Sequence, residues 1–333
     1  MHMNRRILTF SLFEAKTGLT PRQESFLNRY TKGSWTYNPA TGLVDVNGDF
    51  NCYEKELKDL SGIKFGKVSG SFNCSSNNLT TLEGAPQKVG GDFICGGDNL
   101  TSLEGAPQEV GGDFSCYQNK LTSLEGAPQE VGGDFSCPMN NLTSLKGAPQ
   151  EVDGNFECDF NELTTLEGAP QKVGGQFLCN NNKLTSLKGA PQEVDGDFYC
   201  GENKLRSLEG APQVVGRGFY CSKNRLTSLE GAPQVVGGWF ECDAFKLGKV
   251  QWNPKGWFKV LKEGNRKAQK LIATLLTPEV LNKQIQQNPA GMVMKLKAVW
   301  NDESFRETRD KLVWPKGFGD QAKLVGDLDD IGF

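Results

Sequence analysis

Histidine is all but missing from this sequence: the single copy is His2, in a chain of 333 residues. Histidine is the usual general base near neutral pH and a leading zinc ligand, so its absence excludes serine or cysteine catalysis through a His partner. Met1-His2-Met3 reads as a cloning remnant ahead of a natural start at Met3, which leaves even that residue without weight. Long apolar runs are missing too. No stretch approaches the roughly 18 apolar residues of a membrane span, and residues 7–13 are broken by Thr9 and Ser11, a poor signal-peptide core. There is no Cys-x-x-Cys pair and no long basic run, and the net charge is −3 with a pI of about 5.5. Nucleic acid and anionic membrane surfaces are therefore not the expected partners. The expectation is a soluble, cytoplasmic, non-enzymatic chain with no cofactor and no metal.

What is present is a period. The cysteines are Cys52, Cys74, Cys95, Cys116, Cys137, Cys158, Cys179, Cys200, Cys221 and Cys242, spaced by 22 residues once and by 21 thereafter. One unit reads Val-Gly-Gly-Asp-Phe-x-Cys-x-x-Asn-x-Leu-Thr-Ser-Leu-Glu-Gly-Ala-Pro-Gln-Glu, as from Val110 to Glu130. A period of this length means one supersecondary unit per coil of a solenoid. In the Phe-x-Cys triplet, alternation sends Phe114 and Cys116 to one face and Ser115 to the other. Leu121 and Leu124, three apart, suit an irregular turning segment, and Val110 completes five apolar side chains per coil. One coil cannot bury them alone. Coils stacked with strands ~4.8 Å apart can, giving a slab roughly 45–50 Å long.

Three residues past each Cys stands a second column: Asn77, Asp98, Asn119, Asn140, Asn161, Asn182, Asn203 and Asn224. A side-chain amide there can bond the backbone of a neighbouring coil. The column fails at Lys55 and Phe245, which mark capping units. The cysteines read as small buried hydrophobes, since parallel Cβ vectors from successive coils strain a disulfide, and ten free thiols are expected. Gly-Gly-Asp suggests a calcium solenoid, but that motif has a period of nine and a second glycine absent here. An ice-binding face needs alternating Thr-x-Thr, which adjacent Thr-Ser pairs do not supply.

The order apolar-x-x-Asn-x-Leu-x-x-Leu followed by Pro resembles leucine-rich repeats, especially the short bacterial-effector type, over roughly residues 43–250. Leu-Thr-Ser-Leu-Glu-Gly-Ala-Pro-Gln is similar to tandem-repeat proteins of large tailed bacteriophages. The strand here carries Phe and Cys in place of leucines, and the unit is one residue longer than the effector type. The resemblance implies a leucine-rich-repeat-like solenoid with one short parallel strand per 21 residues, and protein binding as the function class. A shorter likeness lies at residues 5–15, where Leu12-Phe13-Glu14 before Ala15 resembles the capsid-targeting peptides of phage internal head proteins. It implies the alternative of a structural or packaged virion protein.

The flanks divide the chain further. Residues 1–45 read as an N-terminal cap, with a helix starting at Thr20-Pro21-Arg22-Gln23 and running to about Tyr30, then a strand, a turn at Asn38 to Gly42, and a strand leading into the first coil. The solenoid spans 46–250 in about ten coils. A C-terminal helical unit covers 251–316, with helices expected over 257–276, 278–287, 292–300 and 304–313 and Trp252, Trp257, Trp300 and Trp314 packing it onto the last coil. Residues 317–333 read as a mobile tail.

Variation within the repeat locates the expected interface. Gly-Ala-Pro-Gln recurs unchanged in eight copies, whereas positions around the strand differ freely. Tyr117, Met139, Phe160, Leu178, Tyr199, Tyr220 and Trp239 stand where the alternation or the turn leaves side chains outside the core. Aromatic and Met residues of this kind are enriched at interface cores. The expectation is a protein partner docking on the strand face, possible self-association through the same patch being the competing reading.

Overall fold

The computed structural model describes residues 18–247, 254–297, 300 and 303–316. The Leu12-Phe13-Glu14 motif, Trp252 and the 317–333 tail lie outside these residues.

Helix α1 (Pro21–Tyr30) opens with the expected capping box: the Thr20 hydroxyl accepts the Gln23 N–H, and the Gln23 side chain accepts the Thr20 N–H. Strands β1 (Thr31–Asn38) and β2 (Leu43–Asn51) form an antiparallel hairpin. Leu27 is fully buried, and Phe26 and Tyr30 meet Phe50 at centroid distances of 5.7 and 6.3 Å, so the helix covers the open end of the first coil.

From Phe50 to Cys242 the chain is a solenoid of parallel strands. Phe50↔Phe72, Phe93↔Phe114, Phe156↔Phe177 and Phe219↔Phe240 are register partners in one continuous ladder of ten Phe-x strands. Three hydrogen bonds per coil hold it. In the fourth coil Phe114, Cys116 and Gln118 donate their N–H groups to the carbonyls of Asp134, Ser136 and Pro138 at 2.9 Å each. The Phe rings stack along the whole array, with centroids 5.1 to 5.7 Å apart from Phe50 to Phe240. Val110, Phe114, Cys116, Leu121 and Leu124 are all buried, which makes the five apolar columns of the sequence one core.

A second ladder joins the first. The residue pairs ending in Val, such as Lys88–Val89 and Glu109–Val110, also bond in parallel from coil to coil, with a break between Glu130–Val131 and Glu151–Val152. Each coil thus has two short strands separated by the Gly-Gly or Asp-Gly corner. The second corner needs glycine for a different reason. The Gly of Gly-Ala-Pro-Gln sits at φ between 82° and 92° in all eight copies, and a Cβ at Gly84 would lie 2.2 Å from the Ile63 carbonyl oxygen.

The C-terminal segment is helical, with two corrections. The helix expected over 257–276 is two, α2 (Pro254–Glu263) and α3 (Arg266–Ala273), because Asn265 caps a new start by accepting the Ala268 N–H. Helix α4 (Pro278–Gln287), capped by Thr277, lies where the sequence puts it. The third expected helix is α5 (Pro289–Lys297), and 304–313 holds only a 3-10 turn and one short helix, Arg306–Arg309. Asn265 donates to the Ala244 carbonyl at 2.9 Å and Thr274 accepts the Leu229 N–H at 2.9 Å, which ties α3 to the last coils.

Candidate protein-binding face

The Asn column is the internal frame of the strand face. Asn140 accepts the Leu121 N–H at 3.1 Å through Oδ1, and its Nδ2 donates to the carbonyls of Cys116, Cys137 and Pro138. Asn161, Asn182 and Asn203 repeat this one coil later each time. Each amide therefore clamps its own coil to the one before, and it fixes the bend where the strand ends.

On the outer side the alternation holds throughout: Phe and Cys are buried, and the residue between them is half-exposed in every coil from Ile94 to Tyr220. Leu178, Tyr199 and Tyr220 are register partners on three successive coils. The two tyrosine rings stack at 4.7 Å and 9°. Tyr220 lies over Gly218, where a Cβ would come within 2.4 Å of the ring. Trp239, three residues before Cys242, is 50 % exposed and lies under the Lys246 ammonium at 5.3 Å. These four residues form one patch across the last four coils.

The other three expected residues lie earlier along the array. Tyr117 is half-buried against Gly96, where a Cβ would sit 2.3 Å from the ring. Met139 and Phe160, 52 % and 49 % exposed, occupy the position two after Cys on neighbouring coils. That position is left-handed in nine coils: Glu54, Ser76, Gly97, Gln118, Met139, Phe160, Asn181, Glu202 and Lys223 have φ between 51° and 68°. Glycine occurs there only once, so large side chains are held outward at a conformational cost of roughly 1–2 kcal/mol each.

Two features of this face escape a reading that looks only for apolar residues. Asp197 lies beside the tyrosine stack: loss of solvation first, then the Asp197 carboxylate, push the Tyr199 phenol above its ordinary value. The position three before Cys is also a ladder of side chains. Asp92 accepts the Asp113 N–H, Asp113 the Asp134 N–H and Asp197 the Gly218 N–H. The signal was the Gly-Gly-Asp-Phe wording, in which Asp is the outward residue of the alternation. Among the described residues no three His, Cys, Asp or Glu gather to hold a metal, and no helix is long and apolar enough to cross a membrane. An open depression lined by Thr81, Gln87, Glu104 and Gln108 lies on the Gln-Glu side of the coils and not on the strand face.

No family model matches the chain, and no curated protein matches it. Among solved structures it is similar to YopM from Yersinia enterocolitica WA-314, a leucine-rich-repeat protein, at 14% identity and a TM-score of 0.29. The match covers 58% of this chain and 65% of that one, less than two thirds of its length. A likeness at that level says nothing about what the chain binds, and the solenoid stands on the ladders described above.

Proposed function

We propose that the chain is a non-enzymatic protein-binding scaffold whose docking surface is the strand face, with Leu178, Tyr199, Tyr220 and Trp239 as anchors and Tyr117, Met139 and Phe160 extending it. The observation that supports this most is the stacked Tyr199–Tyr220 pair continued by Leu178 and Trp239 on adjoining coils. Rings held rigid before binding lose little entropy when a partner covers them, which is what makes aromatic anchors effective. In this reading residues 1–45 and 251–316 are end units that shield the core, and the 46–250 array carries the recognition. The wording of the repeat favours a phage factor acting on a host protein in the host cytoplasm over a packaged head protein. Detecting the chain in purified particles decides against it.

The face itself is tested by photo-crosslinking. A crosslinking residue at position 199 should give protein adducts in a host extract, and the same residue at Glu104, on the Gln-Glu side, should not. Equal adducts at both positions, or adducts at 104 alone, refute the assignment.

A further inference from the structure

The net charge of −3 hides a segregation. Two after each Cys the strand face carries one basic residue, Lys223, which pairs with Glu202; its other outward positions are those three before, one before and one after each Cys. Across all ten coils they hold Asp49, Asp92, Asp113, Asp134, Asp197, Glu157, Glu241, Asp159 and Asp243, and no lysine or arginine. The Gln-Glu side differs: there Lys88, Lys146, Lys172 and Lys188 interrupt the glutamates, and Lys88 and Lys188 pair with Glu109 and Glu209 of the next coil. Mixed charge of that kind is a solvated surface. One sign without the other, around exposed aromatic rings, is a surface selective for the opposite sign.

The chain itself supplies an example of the ligand. After the last coil the strand turns back through Phe245–Leu247, and Lys246 places its ammonium over the Trp239 ring while bonding Glu241 at 2.7 Å. That is an aromatic ring and a carboxylate receiving one basic side chain. Beside it, Tyr199, Tyr220 and Asp197 repeat the ring-and-carboxylate pairing, and the one ammonium whose charge reaches Tyr220, that of Lys246, is already bonded to Glu241.

We propose that the strand face takes a basic protein segment, with an arginine or lysine of the partner lying against the Tyr199–Tyr220 stack and pairing with Asp197. This rests on the face being a protein-docking surface, and it names the chemistry of what docks. An arginine suits the place best, since its planar guanidinium lies on aromatic edges and faces while an N–H reaches Asp197, whose Oδ1 accepts the Gly218 N–H and whose Oδ2 accepts the Gln176 amide. The acidic columns steer such a partner from a distance, so association slows as salt rises past the ~8–10 Å screening length of physiological buffer.

The test is a selection of random displayed peptides on the immobilised full chain, counter-selected on the Tyr199→Ala/Tyr220→Ala variant. Circular dichroism should show that variant folded, because both rings lie outside the core. Enriched peptides should be richer in arginine and lysine than the input library. Replacing their arginines by citrulline should weaken binding at least tenfold, and Asp197→Asn, which keeps the bond to Gly218, should weaken it several-fold. Enrichment of neutral or acidic peptides that the tyrosine variant fails to bind overturns the basic partner and leaves the docking face standing. No enrichment over the variant overturns both.

Discussion

Asp98 accepts the Leu79 N–H at 2.8 Å through Oδ1, the bond that asparagine makes to a leucine N–H in each following coil. Its other oxygen has no such equivalent. Oδ2 is buried without a hydrogen-bond partner, at the position where Asn119 Nδ2 donates to the carbonyls of Cys95, Cys116 and Tyr117. An ionised carboxylate only accepts, so it meets carbonyls it cannot bond; a protonated one has the hydrogen the ladder needs.

Burial accordingly raises the Asp98 carboxyl from 3.8 to about 6, against the opposing pull of the Leu79 and Asn77 N–H groups. The Cys52, Cys74 and Cys95 thiols, which feel the Asp98 charge, are themselves pushed up by burial and stay neutral. A folded value above the unfolded one means the folded state binds the extra proton. This contribution to stability is therefore full below about pH 4 and lost as pH rises through about 6, about 1–2 kcal/mol once solvent screening is allowed for. Asp98→Asn should remove that dependence. Urea midpoints should favour the variant at pH 8 and converge with the parent towards pH 4; a gap that does not change with pH refutes it.

How far the sequence revealed this can be judged from particular positions. The core columns, the Asn clamp and the strand register were legible because each repeats at one phase of the period, so the same side chain meets the same environment ten times. The split at Asn265 was not, since a cap inside an amphipathic pattern leaves the apolar spacing intact. The second, Val-centred ladder was hidden because Val is followed at once by the Gly corner, with no second apolar residue at the spacing that Cys supplies after Phe. On the face, Leu178, Tyr199 and Tyr220 were placed by alternation, whereas the contact of Lys246 with Trp239 depends on how the last strand folds back.

The Asn clamp predicts a large and local cost. Asn140→Ala removes the acceptor of Leu121 N–H and the donor to three carbonyls, leaving buried backbone groups unpaired. The loss should be about 3 kcal/mol in urea unfolding. Asn140→Asp should cost less at pH 4 than at pH 8, transplanting the behaviour of Asp98. A loss under about 1 kcal/mol for Asn140→Ala contradicts the clamp.

The left-handed column predicts a gain. Gln118 has φ of 51°, where Gly97 stands one coil earlier with φ of 68°. Gln118→Gly should stabilise the folded chain by about 0.5–1 kcal/mol, the relief of backbone strain exceeding the added freedom of the unfolded chain. Gln118→Val, with a β-branched side chain in the same conformation, should destabilise it by at least about 1 kcal/mol. Thermal melts that rank Val above Gly contradict this.

The last prediction concerns the cysteine column. All ten thiols are buried without disulfides, and Cys137, Cys158, Cys179 and Cys221 donate their S–H to the carbonyl of the residue before Cys in the next coil, at 3.2 to 3.3 Å. Burial pushes the Cys52 thiol up to about 12 and lifts the interior thiols well above their ordinary value. Thiolate is the reactive form, so labelling of the folded protein at pH 8 must wait for local opening. In a stacked array opening starts at the ends, where a cap takes the place of one of the two neighbouring coils. Cys242, which keeps 5 % exposure, should therefore label first and the central Cys137 and Cys158 last. Unreduced protein in denaturant should give nearly ten equivalents of thiol. A count near half of that means ladder disulfides, and uniform labelling rates along the column mean that the coils open together and not from the ends.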